Sequence, residues 1–194
     1  MGRRLSDFHG EGLIFEGAYE LNWQELPAPL QPVQLARLNA SNEVVLQSVA
    51  ALEEYRHSVA SEEQGSLEND IVRIDNKLNV LLDMVSRLLK EQRDIPEAVP
   101  VLLSVQAIEW WSEARKQPIA GQDIKMHIYL NPVYPSPLEL PGTVEVTEQL
   151  DDGISHVVVS FAGLSGTVLE LFEKFIFRHH RRSVALSRRL KKVE

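Results

Sequence analysis

The spacing of apolar residues changes along the chain, and each change predicts a different element. Residues 11–26 (EGLIFEGAYELNWQEL) are rich in aromatic and β-branched side chains, with Gly12 and Gly17 as breaks. They predict one bent strand or a short hairpin. Pro27, Pro29 and Pro32 follow in LPAPLQP. Each lacks a backbone donor, which predicts an extended linker.

From about residue 35 to 93 the period becomes helical. Leu38, Val45, Val49, Leu52 and Val59 fall on one helix face, with Asn42 and Arg56 as polar interruptions. Gly65 suits a left-handed cap at the end of that helix, and Ser66 can cap the next, with Glu68 and Asp70 in its positive first turn. The two helices predict a hairpin. In the second, Leu67, Ile71, Ile74, Leu78, Leu81, Val85 and Leu88 recur at intervals alternating between four and three, a heptad seam free of polar residues. Ile71, Leu78 and Val85 take position a; Leu67, Ile74, Leu81 and Leu88 take position d. Leu82 and Leu89 at e and Met84 at g widen the stripe beyond what a two-stranded coil needs. The pattern fits a parallel bundle of three or four copies, or a long helix packed on its own domain. Pro96 and Pro100 then stop helical structure.

Residues 99–162 read as strands. Ile124, Met126, Ile128 and Leu130 alternate with Lys125, His127 and Tyr129, as in a strand with one wet face. NPVYPSP is a loop, Leu138 to Leu150 reads as a strand with a bulge at Pro141-Gly142, and Asp151-Asp152-Gly153 predicts a hairpin turn into Ile154–Phe161. Short strands without intervening helices suggest a small antiparallel barrel. Trp110 and Trp111 point to opposite faces if they lie on a strand. A last helix starts near Thr167, where Thr167 and Glu170 match a capping box and Val168, Leu171, Phe172, Phe175 and Ile176 give an apolar face. The fold class is therefore α+β, in three segments: residues 1–32 with the first barrel strand, 33–95 as the helical hairpin, and 96–194 as the rest of the barrel and a basic C-terminal helix.

Composition adds limits. The 194 residues are 44% hydrophobic and 25% charged, ordinary for a globular protein. No apolar run is long enough to span a membrane, and no apolar segment follows Arg3 and Arg4, so no secretory leader is expected and the cytoplasm is the expected compartment. The lack of cysteine excludes disulfides, thiolate metal sites and cysteine nucleophiles. The net charge of −8 hides an asymmetry: residues 178–194 carry +6, leaving −14 for the rest. A basic end of this kind could meet nucleic acid, anionic lipid, a phosphorylated ligand or an acidic partner, or serve as a solvated helix end whose cations suit the helix dipole.

Little points to catalysis. The chain has no phosphate-binding glycine loop, no H-E-x-x-H and no G-x-S-x-G; GLSG at Gly163–Gly166 lacks the spacing of a nucleophile elbow. The adjacent His179 and His180 would point about 100° apart on a helix, which suits no shared metal. Neither an enzyme nor a metal site is expected.

The order of elements, carried by VLLSVQAIEWW, PIAGQDIKMHIYLNP, LPGTVEV and SHVVVSFAGLSGTVLELFEKFIFRHHRR, resembles the PilZ domain, the bacterial receptor module for cyclic di-GMP. The resemblance implies two ligand motifs: R-x-x-x-R before the barrel, whose guanidinium groups meet phosphates and guanines, and [DN]-x-S-x-x-G on the next strands. With Ser104 as the motif serine, Leu102 stands at the Asp/Asn position and Ala107 at the glycine. Phe8 and Asp7 stand where Arg4 and Arg3 would need their second arginine, and the R-x-x-x-R of Arg178 to Arg182 lies on the last helix. An apolar Leu102 cannot supply the polar contact that a dianionic dinucleotide needs. The inserted heptad hairpin further resembles the atypical, tetrameric PilZ proteins, in which a parallel four-helix bundle joins the protomers.

The resulting expectation is a non-enzymatic signalling adaptor with degenerate ligand motifs, without cofactor, self-assembling as a homotetramer through Leu67, Ile71, Ile74, Leu78, Leu81, Val85 and Leu88. Its partners are proteins of signalling or motility. Two alternatives stand beside it: a cyclic di-GMP receptor using Arg3 and Arg4, or the tail arginines, around Ser104; and nucleic-acid binding by the basic tail, which the acidic remainder disfavours.

Overall fold

The computed structural model describes residues 13–58, 97–113, 116–150 and 153–190, together with Ile74, Lys77, Leu78, Val80, Leu81, Met84, Val85 and Leu88. Six antiparallel strands close into a barrel in the order β1-β2-β3-β6-β5-β4. They are β1 (Phe15–Glu25), β2 (Ala98–Leu103), β3 (Ala107–Ser112), β4 (Asp123–Tyr129), β5 (Leu138–Gln149) and β6 (Ser155–Phe161). Helix α1 (Pro32–Ser58) leaves the barrel after β1, and α2 (Gly166–Leu190) follows β6. Closure removes the free edges that an open sheet would expose to other chains.

The alternation in β4 is as the sequence predicts, with Ile124, Met126 and Ile128 wholly buried. They meet Val101 and Leu103 of β2, Ile108 and Trp110 of β3, Leu138 and Leu140 of β5 and Val157 and Val159 of β6 in one core. Val168, Phe172, Phe175 and Ile176 of α2 join the same cluster, so this helix face is part of the barrel's core. Residues 11–26 resolve into the single strand β1, not a hairpin.

Three local expectations are corrected. Pro32 is the first residue of α1 and not part of an extended linker. Its fixed φ and missing N–H suit the first helical turn, and Gln34 Oε1 reaches back to accept from the Gln31 N–H at 2.9 Å. The α2 cap is Ser165, not Thr167: its Oγ accepts from the Val168 N–H at 3.2 Å, which leaves Thr167 inside the helix and Glu170 paired with Lys174 at 2.8 Å. The β5 irregularity falls between Val144 and Val146, not at Pro141-Gly142. Gly142 has another role, because a Cβ there would run into the Ser160 carbonyl of β6. Pro100 sits within β2, paired with Ala18.

Helix α1 docks on the barrel through two asparagines. Asn42 is wholly buried and exchanges two hydrogen bonds with the backbone of Glu139 in β5. Asn39 Nδ2 donates to Gly163 O at 3.0 Å, and its Oδ1 accepts from the Ser165 N–H at 2.9 Å, which fixes the approach to α2. With Leu38, Val45 and Val49 buried beside them, the polar interruption of the stripe at Asn42 proves to be part of its contact face.

Described residues Ile74, Leu78, Leu81, Val85 and Leu88 are helical. Gly65, Ser66, Leu67 and Ile71 lie outside the described residues. No helix among the described residues is long and apolar enough to cross a membrane.

Candidate functional site

Ser104 lies in the three-residue connection between β2 and β3, not within a strand. Its N–H donates to Ala107 O at 2.9 Å, and its Oγ accepts from the N–H groups of Gln106 at 3.2 Å and Ala107 at 3.1 Å. Gln106 O in turn accepts from the Phe161 N–H at 2.7 Å, tying the turn to the end of β6. Ser104 is only 2% exposed, and its hydroxyl is engaged in satisfying the turn backbone, a common use of serine in tight connections.

Period-two geometry decides the rest of this face. Val101 and Leu103 point into the barrel, so Leu102 between them points outward. Ile108 and Trp110 point inward, so Ala107, Glu109 and Trp111 share the outer surface. Leu102 and Ala107 are therefore not barrel interior. They form a small outer cluster with Val158, Ile14 and Val146. Beside it, His156 Nε2 lies 2.6 Å from Glu109 Oε1, both side chains buried, and the Trp111 ring stacks on His156 with centroids 5.3 Å apart. Trp110 and Trp111 do separate, the first into the core and the second onto this outer face. The outer surface of β2, β3 and β6 is packed, and its strand residues include no Arg or Lys. A phosphodiester would find no guanidinium or ammonium partner on these strands.

Two of the tail arginines that sequence reasoning considered for that role, Arg178 and Arg182, meet glutamates of α1 instead. Arg182 Nη1 lies 3.4 Å from Glu53 Oε2, Arg178 Nη1 lies 3.6 Å from Glu54 Oε1, and His179 Nε2 lies 2.8 Å from Glu53 Oε1. The His179 ring packs against Phe175 at 4.2 Å and Phe15 at 5.2 Å between centroids. Burial pushes the Glu53 carboxyl up, but the His179 hydrogen bond and the charges of His179, Arg182 and Arg178 together hold it below the usual carboxylate range. Burial, and then the Glu53 charge, raises the Tyr19 phenol well above its ordinary value. His180 turns away to the Ile14 carbonyl, 3.1 Å from Nδ1. Sequence reasoning missed Glu53; the available signal was a Glu-Glu pair closing an apolar stripe, opposite an Arg-His-His-Arg-Arg run. Among the described residues no group of three or more His, Cys, Asp or Glu is placed to hold a metal.

Arg3 and Arg4 lie outside the described residues. Of the heptad positions, Ile74, Leu78, Leu81, Val85 and Leu88 are 48–58% exposed in the single chain, and Met84 joins them at 56%.

Comparison with known families decides the kinship. The family model described as "Atypical PilZ domain, cyclic di-GMP receptor" matches residues 46–189. The chain belongs to the atypical PilZ domain family. A solved structure from Xanthomonas campestris, described as a pathogenic protein with a new tetrameric PilZ domain self-assembled via an unusual helical bundle, superposes on this PilZ chain with a TM-score of 0.73. That match covers 91% of this chain and 93% of the other at 24% identity, and it shows the shared fold. The Bacillus subtilis inhibitor of motility (MotI/DgrA) gives a partial match, with a TM-score of 0.36 at 11% identity over 44% of this chain and 43% of that one, from which nothing follows here. No curated protein matches by sequence. The PilZ assignment accounts for the barrel with its helical insertion.

Proposed function

We propose that this PilZ chain is a non-enzymatic cytoplasmic signalling adaptor, whose barrel is displayed in four copies by a parallel bundle built from segment 33–95. Leu67, Ile71, Ile74, Leu78, Leu81, Val85 and Leu88 form the bundle's seam. The observation that carries this reading is the exposure of Ile74, Leu78, Leu81, Val85 and Leu88 in one protomer. Fully burying a side chain of this kind contributes about 1.5–3 kcal/mol, so even half of that, summed over five positions, favours association strongly. The tetramer described for the Xanthomonas protein, which shares the fold over nearly its whole length, supports the number four. Display in four copies raises avidity for a partner protein without any new contact. Sedimentation equilibrium tests the reading: four chain masses are expected, and a monomer at micromolar concentration would refute it.

A second reading rests on the family's description as a cyclic di-GMP receptor. Arg3, Arg4 and Ser104 would then hold the dinucleotide at a non-standard site. The engaged Ser104 hydroxyl and the lack of Arg or Lys on the strands of the outer β2, β3 and β6 face favour the adaptor instead. Calorimetric titration with cyclic di-GMP separates the two, since tight saturable binding belongs only to the receptor. Nucleic-acid binding by the tail is weakened further by the commitment of Arg178 and Arg182 to Glu54 and Glu53.

A further inference from the structure

One end of the barrel, where β1 and β3 finish and β2 begins, carries an open cavity of about 230 Å³. Trp110, 1% exposed, belongs to its lining. Leu21, Trp23 and Val99 add apolar wall, and Ser112 and Lys116 bring polar groups. The Lys116 ammonium stands over the Trp23 ring, 5.6 Å from its centroid, and among the described residues no carboxylate lies within ion-pair distance of it. The loop that carries Lys116 is anchored: Thr147 Oγ1 donates to Pro118 O at 2.8 Å, and the Gly121 N–H donates to Val144 O at 2.7 Å. This end of the barrel is distinct from the outer β2–β3–β6 face and from the helical seam.

We propose that this cavity binds a small planar anion, an aromatic ring bearing a carboxylate. Size, shape and charge each narrow the choice. An apolar cavity of about 150 Å³ accommodates benzene, and drug-sized ligands occupy about 300–1,000 Å³, so one ring with a short polar arm fits the volume. Trp23, half-buried in the lining, offers an aromatic surface that favours a flat partner, with Trp110 almost wholly covered behind it. The ammonium, held near the mouth by a cation–π contact, repels a cation and pairs with a carboxylate. A neutral ring gains the apolar wall alone.

The tetrameric or monomeric protein labelled with 5-fluorotryptophan reports on the site directly, because the chain has three tryptophans and Trp111 lies on the opposite face of β3 from Trp110. With benzoate as the probe, the fluorine resonances of Trp23 and Trp110 shift in a saturable manner while that of Trp111 does not. Lys116→Gln, an exposed change, weakens benzoate binding at least tenfold, and benzyl alcohol, the same ring uncharged, binds the unaltered protein correspondingly weakly. The proposal fails if no resonance moves at millimolar benzoate, if all three move alike, or if Lys116→Gln and benzyl alcohol leave the affinity where it was.

Discussion

Asn42 and Glu139 join the first helix to the barrel through a pair of hydrogen bonds between one side-chain amide and one peptide backbone. Asn42 Nδ2 donates to Glu139 O at 2.7 Å, and Asn42 Oδ1 accepts from the Glu139 N–H at 2.9 Å. Residues 138–141 of β5 precede the stretch that pairs with β6, which begins at Gly142. Pro141 O already accepts from the Ala162 N–H at 2.9 Å, but the Glu139 N–H and C=O would be orphaned beneath α1 without Asn42, and buried orphans are costly.

Asn42→Leu therefore removes both partners at once while keeping the volume. Each orphaned group costs about 1–3 kcal/mol, so a loss of about 2–6 kcal/mol in folding stability is expected for the two. Urea unfolding of the variant checks this. A midpoint equal to that of the parent would mean that α1 is held on the barrel by its apolar contacts alone.

The Glu53 cluster gives the fold a defined response to acid. Glu53 is paired with His179 and Arg182 of α2 and feels the charge of Arg178, whose own partner is Glu54, with Tyr19 of β1 also feeling the Glu53 charge. The folded-state carboxyl titrates below the usual range, so the unfolded chain takes up the proton more readily. The contribution is fully present above the ordinary glutamate range and is lost as pH falls through the depressed folded value. Glu53→Gln should be less stable than the parent near neutrality and show a shallower decline below pH 5. Parallel acid limbs for the two proteins would remove Glu53 from the account.

Ser104 invites a discriminating substitution, because two roles predict different outcomes. Ser104→Ala withdraws an acceptor from the N–H groups of Gln106 and Ala107, at a cost of about 1–3 kcal/mol for buried donors. Lower thermal stability is expected, with oligomer mass unchanged and no change in any titration with cyclic di-GMP. A variant as stable as its parent but altered in dinucleotide binding would return Ser104 to a ligand role.

The barrel was readable because strands with one buried face must alternate, and Ile124, Met126, Ile128 and Leu130 do so without interruption. The last helix was equally legible in Val168, Phe172, Phe175 and Ile176. The cap at Ser165 was misread because Thr167 and Glu170 match a capping pattern locally, whereas the hydrogen bonds of Asn39 to Gly163 and Ser165 start the helix earlier. Those bonds span more than a hundred residues and have no trace in local spacing. The outward direction of Leu102 has no trace in the sequence either: apolar residues run through VLL on both faces of β2, so composition alone does not separate inside from outside. Glu53 was hidden because its partners lie on α2, far along the chain.

The heptad seam supplies the sharpest test of assembly. Leu78 and Leu81 stand at adjoining a and d positions, at the middle of the run, and both are more than half exposed in one chain. If they are buried between copies, Leu78→Asp with Leu81→Asp places unpaired carboxylates in a low-dielectric seam, and breaking such a contact costs several kcal/mol per protomer. The barrel does not depend on these residues, since its core is drawn from the six strands and the two flanking helices. Sedimentation should therefore show the mass of one chain, with near-ultraviolet circular dichroism of the tryptophans preserved and only the helical signal of segment 33–95 reduced. An unchanged multimer would place the interface elsewhere, and a monomer that had also lost its tryptophan signal would show that the seam supports its own barrel.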